Sequence, residues 1–315
     1  RPARKVLGIL LNWSGEADEE EAYIQQLTFG VQLALRDSGF SCTVHGMRPG
    51  ERIIDFIRAN PAAARNWGGL LVSSGAMDRE GIDRLREARV PVVGLAAPPA
   101  ELAAAHVDVD NELGGRLAMR HLLARGWRRP LLLDQFSDSP HARARARGYR
   151  AALAEAGLAR EDRFFVNNPL VRTPAAQEIA ASLLDPFLAG KDPVDSVIVY
   201  MEQPTIGVYR AIGRRGLKPG RDIAVVHYND YPWLCDVLQP RPTAVRQPFE
   251  RVAREATVLL QRPMRGELPK PEATFIPPEL IVRDSCPRRA GRNPARTSPQ
   301  KTGAGGRQSR AQRPS

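Results

Sequence analysis

Two rhythms of apolar positions alternate along the first 285 residues. The run Lys5–Leu11 is almost continuously apolar, as a strand buried on both faces is. Over Glu20–Ser38 the residues Tyr23, Ile24, Leu27, Val31 and Leu35 recur every three or four positions, which gathers them on one helix face. Gly39 then stops the helix, because glycine takes the left-handed turn past a last helical turn without a Cβ clash. The same reading predicts strands over Cys42–Met47, Gly69–Ser73, Pro91–Leu95, His106–Val109 and Pro130–Leu133. It places helices over Glu51–Ala59 and Asp78–Ala88, and one from the Asp110/Asn111 cap to Leu123 that Gly126 closes. The second half continues with helices over Ala142–Ala156, Ala175–Leu188, Thr205–Arg214 and Phe249–Gln261. Its strands fall over Arg163–Val166, Val197–Tyr200, Ile223–Tyr228 and Glu279–Arg283.

Strands that alternate with helices make parallel sheets covered on both faces, with right-handed crossovers. A chain of 315 residues exceeds the roughly 100–200 of one domain, so two doubly wound α/β lobes are expected. Ligands of such sheets sit beyond the carboxyl ends of the strands. That directs attention to the loops after Leu11, Ser73, Leu133, Tyr200 and Tyr228.

Composition narrows the class. With 43% hydrophobic and 26% charged residues the chain is an ordinary globular sequence. No apolar run approaches the roughly 18 residues of a membrane span, so no membrane partner is expected. Only a short apolar stretch follows Arg1, too short for the core of a signal peptide, and the absence of an initial Met leaves room for residues upstream. Cys42, Cys235 and Cys286 are far apart and odd in number, as reduced thiols in the cytoplasm would be. The net charge is +11, but eight of the cations lie after Cys286 with no acid among them, leaving +3 for residues 1–285. This tail, 286–315, is rich in Pro, Gly, Ser and Gln. It cannot bury enough surface to offset its ordering entropy and is expected to be disordered. A role in contacting phosphate backbone is the alternative to a merely solvated extension.

Catalytic signatures are absent. The first strand leads into Asn12-Trp13-Ser14-Gly15-Glu16, which lacks a dinucleotide fingerprint, and there is no phosphate loop or HExxH pair. Ser73-Ser74-Gly75 lacks the first glycine of a nucleophile elbow. His106-Val107-Asp108-Val109-Asp110 reads as strand alternation followed by a helix cap rather than as a metal site. No catalytic residue, cofactor or metal is expected.

Six blocks, in order and suitably spaced, resemble the regulatory core of the lactose-repressor (LacI/GalR) family. The first runs from Val107-Asp108-Val109-Asp110-Asn111 through Gly114-Gly115 to His121-Leu122-Leu123-Ala124-Arg125-Gly126, similar to "VxxDNxxGGxxAxxHLxxxGH". The second, Arg145-Ala146-Arg147-Gly148-Tyr149 with Gly157-Leu158, is similar to "RxxGYxxAL…GL". Asp195–Ile198 with Gly207–Ile212, Asp222–Asp230 ("DISVVGFDD"), Arg241–Pro248 ("LTTVRQP") and Glu279–Ser285 ("xLIVRxS") complete the series.

The resemblance covers about residues 5–285. It implies a type I periplasmic-binding-protein-like fold, with two lobes joined by three crossing segments and a ligand cleft between them. Lobe one is expected over about 1–135 and 246–270, and lobe two over about 136–245 and 271–285. It further implies a cytoplasmic transcriptional regulator and homodimer that binds a small polar effector, a sugar or sugar derivative. Operator DNA would be held by an N-terminal domain absent from this chain. An extracytoplasmic sugar-binding protein of an ABC transporter shares the fold and is the alternative. By the resemblance Arg145 matches the effector-contacting arginine, and Asn229 stands where the family has a cleft aspartate. Met201-Glu202 replaces an "ND" pair, and His227 replaces a glycine, where packing is its expected role. Trp13 offers a ring to stack on a sugar or to pack. The candidate ligand-binding set is Trp13, Tyr23, Ser73, Arg145, Glu202 and Asn229.

Overall fold

The computed structural model describes residues 5–12, 18–48, 50–102, 104–134, 140–159, 161, 164–168, 175–267 and 272–289. Trp13 and the tail from residue 290 lie outside the described residues. The first part of the chain runs β1 (Val6–Asn12), α1 (Asp18–Leu35), β2 (Ser41–Met47), α2 (Ile53–Ala59), α3 (Pro61–Asn66), β3 (Trp67–Ser73), α4 (Arg79–Glu87), β4 (Val92–Leu95) and β5 (Ala105–Val109). Then come α5 (Asn111–Ala124), β6 (Pro130–Asp134), α6 (Pro140–Glu155), β7 (Phe165–Asn167), α7 (Ala175–Ala189), β8 (Ser196–Tyr200), α8 (Glu202–Arg214) and β9 (Ala224–Tyr228). The chain closes with α9 (Pro232–Cys235), β10 (Thr243–Arg246), α10 (Phe249–Met264), β11 (Ala273–Ile276) and β12 (Glu279–Ile281).

The strands form two six-stranded sheets, ordered β11-β5-β4-β3-β1-β2 and β12-β10-β9-β8-β6-β7. Every strand pair is parallel except β10 with β12. Alternation along each strand splits each core into two layers. In lobe one, Ile9, Leu11, Leu71 and Val93 pack under α1 and α10, while Leu10, Leu70 and Val72 pack against α2 and α4. In lobe two, Leu132, Ile198 and Val226 lie under α5 and α6, while Leu131, Leu133, Val197 and Val225 meet α7 and α8. Fully burying one such aliphatic side chain stabilises by about 1.5–3 kcal/mol.

The strands do not follow the expected lobe boundaries. β6 lies in the second sheet although it precedes residue 135, and α5 packs along α6 on that sheet. The chain crosses earlier, at Asp110, because Asp110 caps α5 and the buried face of α5 (Met119, Leu122, Leu123) belongs to the second core. β11 pairs with β5 in the first sheet, so the last crossing falls at Pro277-Pro278 rather than near residue 270. The third crossing is Gln247-Pro248. The tail also begins later than residue 286. Cys286 is fully buried in the second core, and Pro287 and Arg289 are bonded to lobe two.

Four elements escaped the apolar pattern. α3 and α9 are one to two turns long and start on prolines, while β10 and β11 are four residues each. Segments that short show no period. Among the described residues no helix is long and apolar enough to cross a membrane.

Candidate functional site between the lobes

A cavity of about 440 Å³ opens at the carboxyl ends of both sheets. Lobe one supplies Asn12, Tyr23, Ser73, Asp108 and Phe249, and lobe two supplies His141, Arg145, Tyr200, Glu202 and Asn229. The parallel topology explains the convergence, since every β-to-α loop leaves from the same end of its sheet.

Arg145 is the most constrained of these groups. It stands on α6 and is only 2% exposed. Its Nε and Nη2 donate to the two oxygens of Asp134, at 2.7 and 2.6 Å, and Nη1 donates to Asn111 Oδ1 at 3.2 Å. The Tyr149 hydroxyl, kept protonated by burial and by the Asp134 charge, donates to the same carboxylate at 3.3 Å. The guanidinium lies 4.0 Å from the Tyr200 ring centroid and 5.0 Å from that of Tyr228, a cation–π arrangement. Burial opposes its charge, but the field and hydrogen bonds of Asp134 prevail and hold its pKa well above the ordinary value. Three of its five N–H groups are thus engaged, leaving donor capacity on Nη1 and Nη2.

The register of α6 against α5 fixes this placement. A Cβ on Gly115 would come within 2.3 Å of the Arg145 carbonyl oxygen, and one on Gly148 within 2.0 Å of the Glu112 oxygen. Only glycine allows the two backbones to approach so closely.

Glu202, 1% exposed, is the first residue of α8, where the helix N-terminus favours a carboxylate. Asn229 Nδ2 donates to Glu202 Oε1 at 3.1 Å, and Gln247 Nε2 donates to Asn229 Oδ1. Opposite, Asp108 at the end of β5 accepts from the amides of Ala97 and Val109, at 3.1 and 2.7 Å. His141 Nε2 from lobe two stands 3.2 Å from Asp108 Oδ2, so this pair spans the cleft. The amide of Asn12 donates to Ser73 Oγ at 3.4 Å, and Tyr23 meets Phe249 edge-on at 4.8 Å.

The backbone is also distorted here. Ala96, Met201 and Asn229 have φ of 95°, 77° and 118°, and each lies at the end of a strand that feeds the cavity. Left-handed non-glycine residues cost about 1–3 kcal/mol each and gather at functional sites.

Five of the six sequence candidates, Tyr23, Ser73, Arg145, Glu202 and Asn229, line this one cavity. Trp13, the sixth, lies outside the described residues. Arg145 is not a surface arginine like its neighbours Arg143 and Arg147. His227 packs in the core with Nδ1 2.8 Å from Thr205 Oγ1, and does not line the cavity. Sequence reading missed Asp108, Asn111, His141, Tyr200, Tyr231 and Gln247 as lining residues. Asp108 had a signal: a charged residue inside an otherwise buried strand needs a partner.

A family model described as a periplasmic binding protein-like domain matches residues 119–286. The chain is 27% identical over 270 residues to the HTH-type transcriptional regulator CelR of Thermobifida fusca, covering 84% of this chain and 76% of that protein. A regulatory protein of the LacI family from Chloroflexus aggregans superposes with a TM-score of 0.78 at 23% identity, covering 90% of this chain and 98% of that one. A complex of the transcriptional regulator CelR with cellobiose superposes with a TM-score of 0.74 at 26% identity, over 90% and 86% of the two chains. The chain belongs to the periplasmic binding protein-like family and, within it, is an effector-binding core of the LacI/GalR type.

Proposed function

We propose that this chain is the ligand-sensing part of a cytoplasmic transcriptional regulator that binds a neutral polyhydroxylated ligand, a sugar or sugar derivative, between its lobes. The observation that carries the reading is the lining of the cavity. One neutralised guanidinium and two further carboxylates converge on it from both lobes, beside the aromatic faces of Tyr23, Tyr200 and Tyr231. Hydroxyl groups both donate and accept, so they match Arg145 on one side and Asp108 and Glu202 on the other. Asp134 already balances the charge of Arg145, and Asp108 and Glu202 leave the site with surplus negative charge. A phosphorylated or acidic ligand would meet that charge with no Lys or Arg other than Arg145 among the described lining residues. The cellobiose complex of CelR supports a sugar.

A ligand touching both lobes shifts their relative orientation by its differential affinity for the two arrangements. The reading includes a homodimer and an operator-binding domain N-terminal to the present sequence. It is supported by the HTH-type relative, a quarter of which lies outside the match. The same fold serves transporters' solute-binding proteins, but CelR and the Chloroflexus aggregans protein are regulators, which favours the sensing role.

Isothermal titration with a panel of neutral mono- and disaccharides, cellobiose and ribose included, tests the reading. A saturable heat for at least one sugar is expected. Asp108→Asn should weaken it about 10–100-fold, the worth of a hydrogen bond to a charged group. Binding to phosphosugars alone, or to none of the panel, would overturn it. Sedimentation equilibrium at micromolar concentration tests the dimer.

A further inference from the structure

One charged pair joins the two walls of the cleft. Asp108 stands on β5 of lobe one, and His141 is the second residue of α6 in lobe two, with Nε2 3.2 Å from Asp108 Oδ2. Every other ion pair among the described residues stays within a single lobe. Both Asp108 and His141 line the cavity, so the two lobes are tied together where the effector would sit.

Each partner is held in place by its own lobe. Asp108 is 6% exposed, and a carboxylate so deep in a strand is costly unless its oxygens are bonded. The amide of Val109 donates to one oxygen and that of Ala97 to the other. The left-handed turn at Ala96, whose own amide donates to the Val107 carbonyl at 2.8 Å, delivers the Ala97 amide. A carboxylate has about four lone-pair sites, so the two amides leave room for the imidazole and for a ligand hydroxyl. His141 precedes Arg145 by four positions and so shares its face of α6. The close approach at Gly115 and Gly148 fixes that helix against α5. The register that sets Arg145 therefore also sets the lobe-two partner of Asp108.

The geometry points to His141 as a positioning residue of the cleft: paired with Asp108, it latches the two walls together. It acts through Asp108 and need not touch the ligand. The contact exists only while the walls face each other, so it favours that arrangement over an open one. The His141 side chain is 28% exposed and that of Asp108 9%, so water weakens the attraction. A pair of this kind is worth at most about fivefold in an equilibrium constant. A ligand that needs both walls binds more weakly in proportion to the fraction of molecules that are closed. The latch thus sets the affinity of the cleft without deciding which ligand fits it. The effect on affinity presupposes the effector reading; the latch itself does not.

Small-angle X-ray scattering of the ligand-free full chain tests the latch. His141→Ala and Asp108→Asn should each enlarge the radius of gyration, as the ratio of open to closed molecules rises by up to about fivefold. The double variant should open no further than either single one, because each already removes the same attraction. His141→Lys returns a cation within reach of the carboxylate and should restore the parent profile. Titration calorimetry with ribose and with cellobiose then reads affinity. The loss in His141→Ala should match the fall in closed fraction, and His141→Lys should recover it. A His141→Ala profile identical to the parent's would overturn the latch, as would a His141→Lys variant as open as His141→Ala. If neither sugar gives heat, the effector reading is what fails, and the scattering profiles still decide the latch.

Discussion

On the lobe-two wall of the cleft, Arg145, Asp134, Tyr149 and Asn111 form one hydrogen-bonded group, closed off from water and capped by the Tyr200 and Tyr228 rings. On the lobe-one wall, Asp108 and Ser73 are bonded chiefly to backbone amides, and Tyr23 rests on Phe249. One wall is a side-chain network that specifies its own geometry before any ligand arrives. The other is a set of strand ends whose geometry is that of the sheet itself. The difference means that changes in lobe two should cost stability and ligand affinity together. Changes in lobe one should separate them.

The largest effect is expected at Arg145. Arg145→Ala strands the Asp134 carboxylate in a site where both side chains are 2% exposed, and breaking such a pair costs about 3–5 kcal/mol. Urea denaturation should show that loss. Asp108→Asn, by contrast, should cost about 1 kcal/mol while still weakening sugar binding. Equal losses at the two positions would erase the distinction between the walls.

Next come the helix pairs behind each wall. Gly148→Ala forces α5 from α6, and Gly30→Ala forces α1 from α10, because its Cβ would lie 2.1 Å from the Glu250 carbonyl. Each should cost about 1–3 kcal/mol by overpacking. Only Gly148→Ala stands on the helix that carries Arg145, so it should lower sugar affinity more than Gly30→Ala when both are compared by titration calorimetry.

Acid should distinguish the lobes more gently. Burial pushes His121 down to about 4 and His227 down to about 3, and both lie in lobe two. His45 of lobe one shifts the same way but is only half-buried. Between those values and the ordinary 6.5, the unfolded chain binds protons that the folded one refuses. Stability is therefore complete above about pH 6.5 and falls as the pH drops toward 4, by about 1.4 kcal/mol per pH unit for each histidine. His227→Gln should flatten the fall in unfolding free energy measured from pH 7 to pH 4.5. An unchanged slope would show that the burial of His227 contributes nothing.

The smallest effects belong to the exposed ion pairs of both lobes. Arg58→Ala removes the Arg58–Glu80 contact and Arg214→Ala the Arg214–Glu178 contact, yet all four side chains are more than half exposed. Both denaturation midpoints should stay where they are.

Much of this architecture was legible in the chain because burial on two faces leaves a pattern. Strands such as β3 and β8 and helices such as α1 and α5 carry it over several residues, and caps at Asp110 and Gly126 mark the ends. What escaped was information held between elements. Nothing in the order of residues says that α5 turns its apolar face to the second sheet rather than the first, so the crossing near Asp110 was missed. Cys286–Arg289 read as the start of a polar tail, because the contacts that bind it, with Trp127 and Asp195, come from residues more than ninety positions away. Arg145 and Glu202 were accessible through resemblance. Asp108 and His141 meet across the cleft, and no local spacing records that.

The three crossings between the lobes differ in stiffness. The first passes through Asp110, which has no ring to fix its φ and is held instead by hydrogen bonds to Ile276, Leu113 and Gly114. The other two contain Pro248 and the Pro277-Pro278 pair, whose rings lock φ near −65°. Two of the three straps thus have φ fixed at their prolines, which narrows the ways in which one lobe can turn relative to the other. A joint restrained in this way is closer to a door on pins than to a ball in a socket. The fewer the torsions left free, the less interlobe entropy a ligand has to remove when it draws the two walls together.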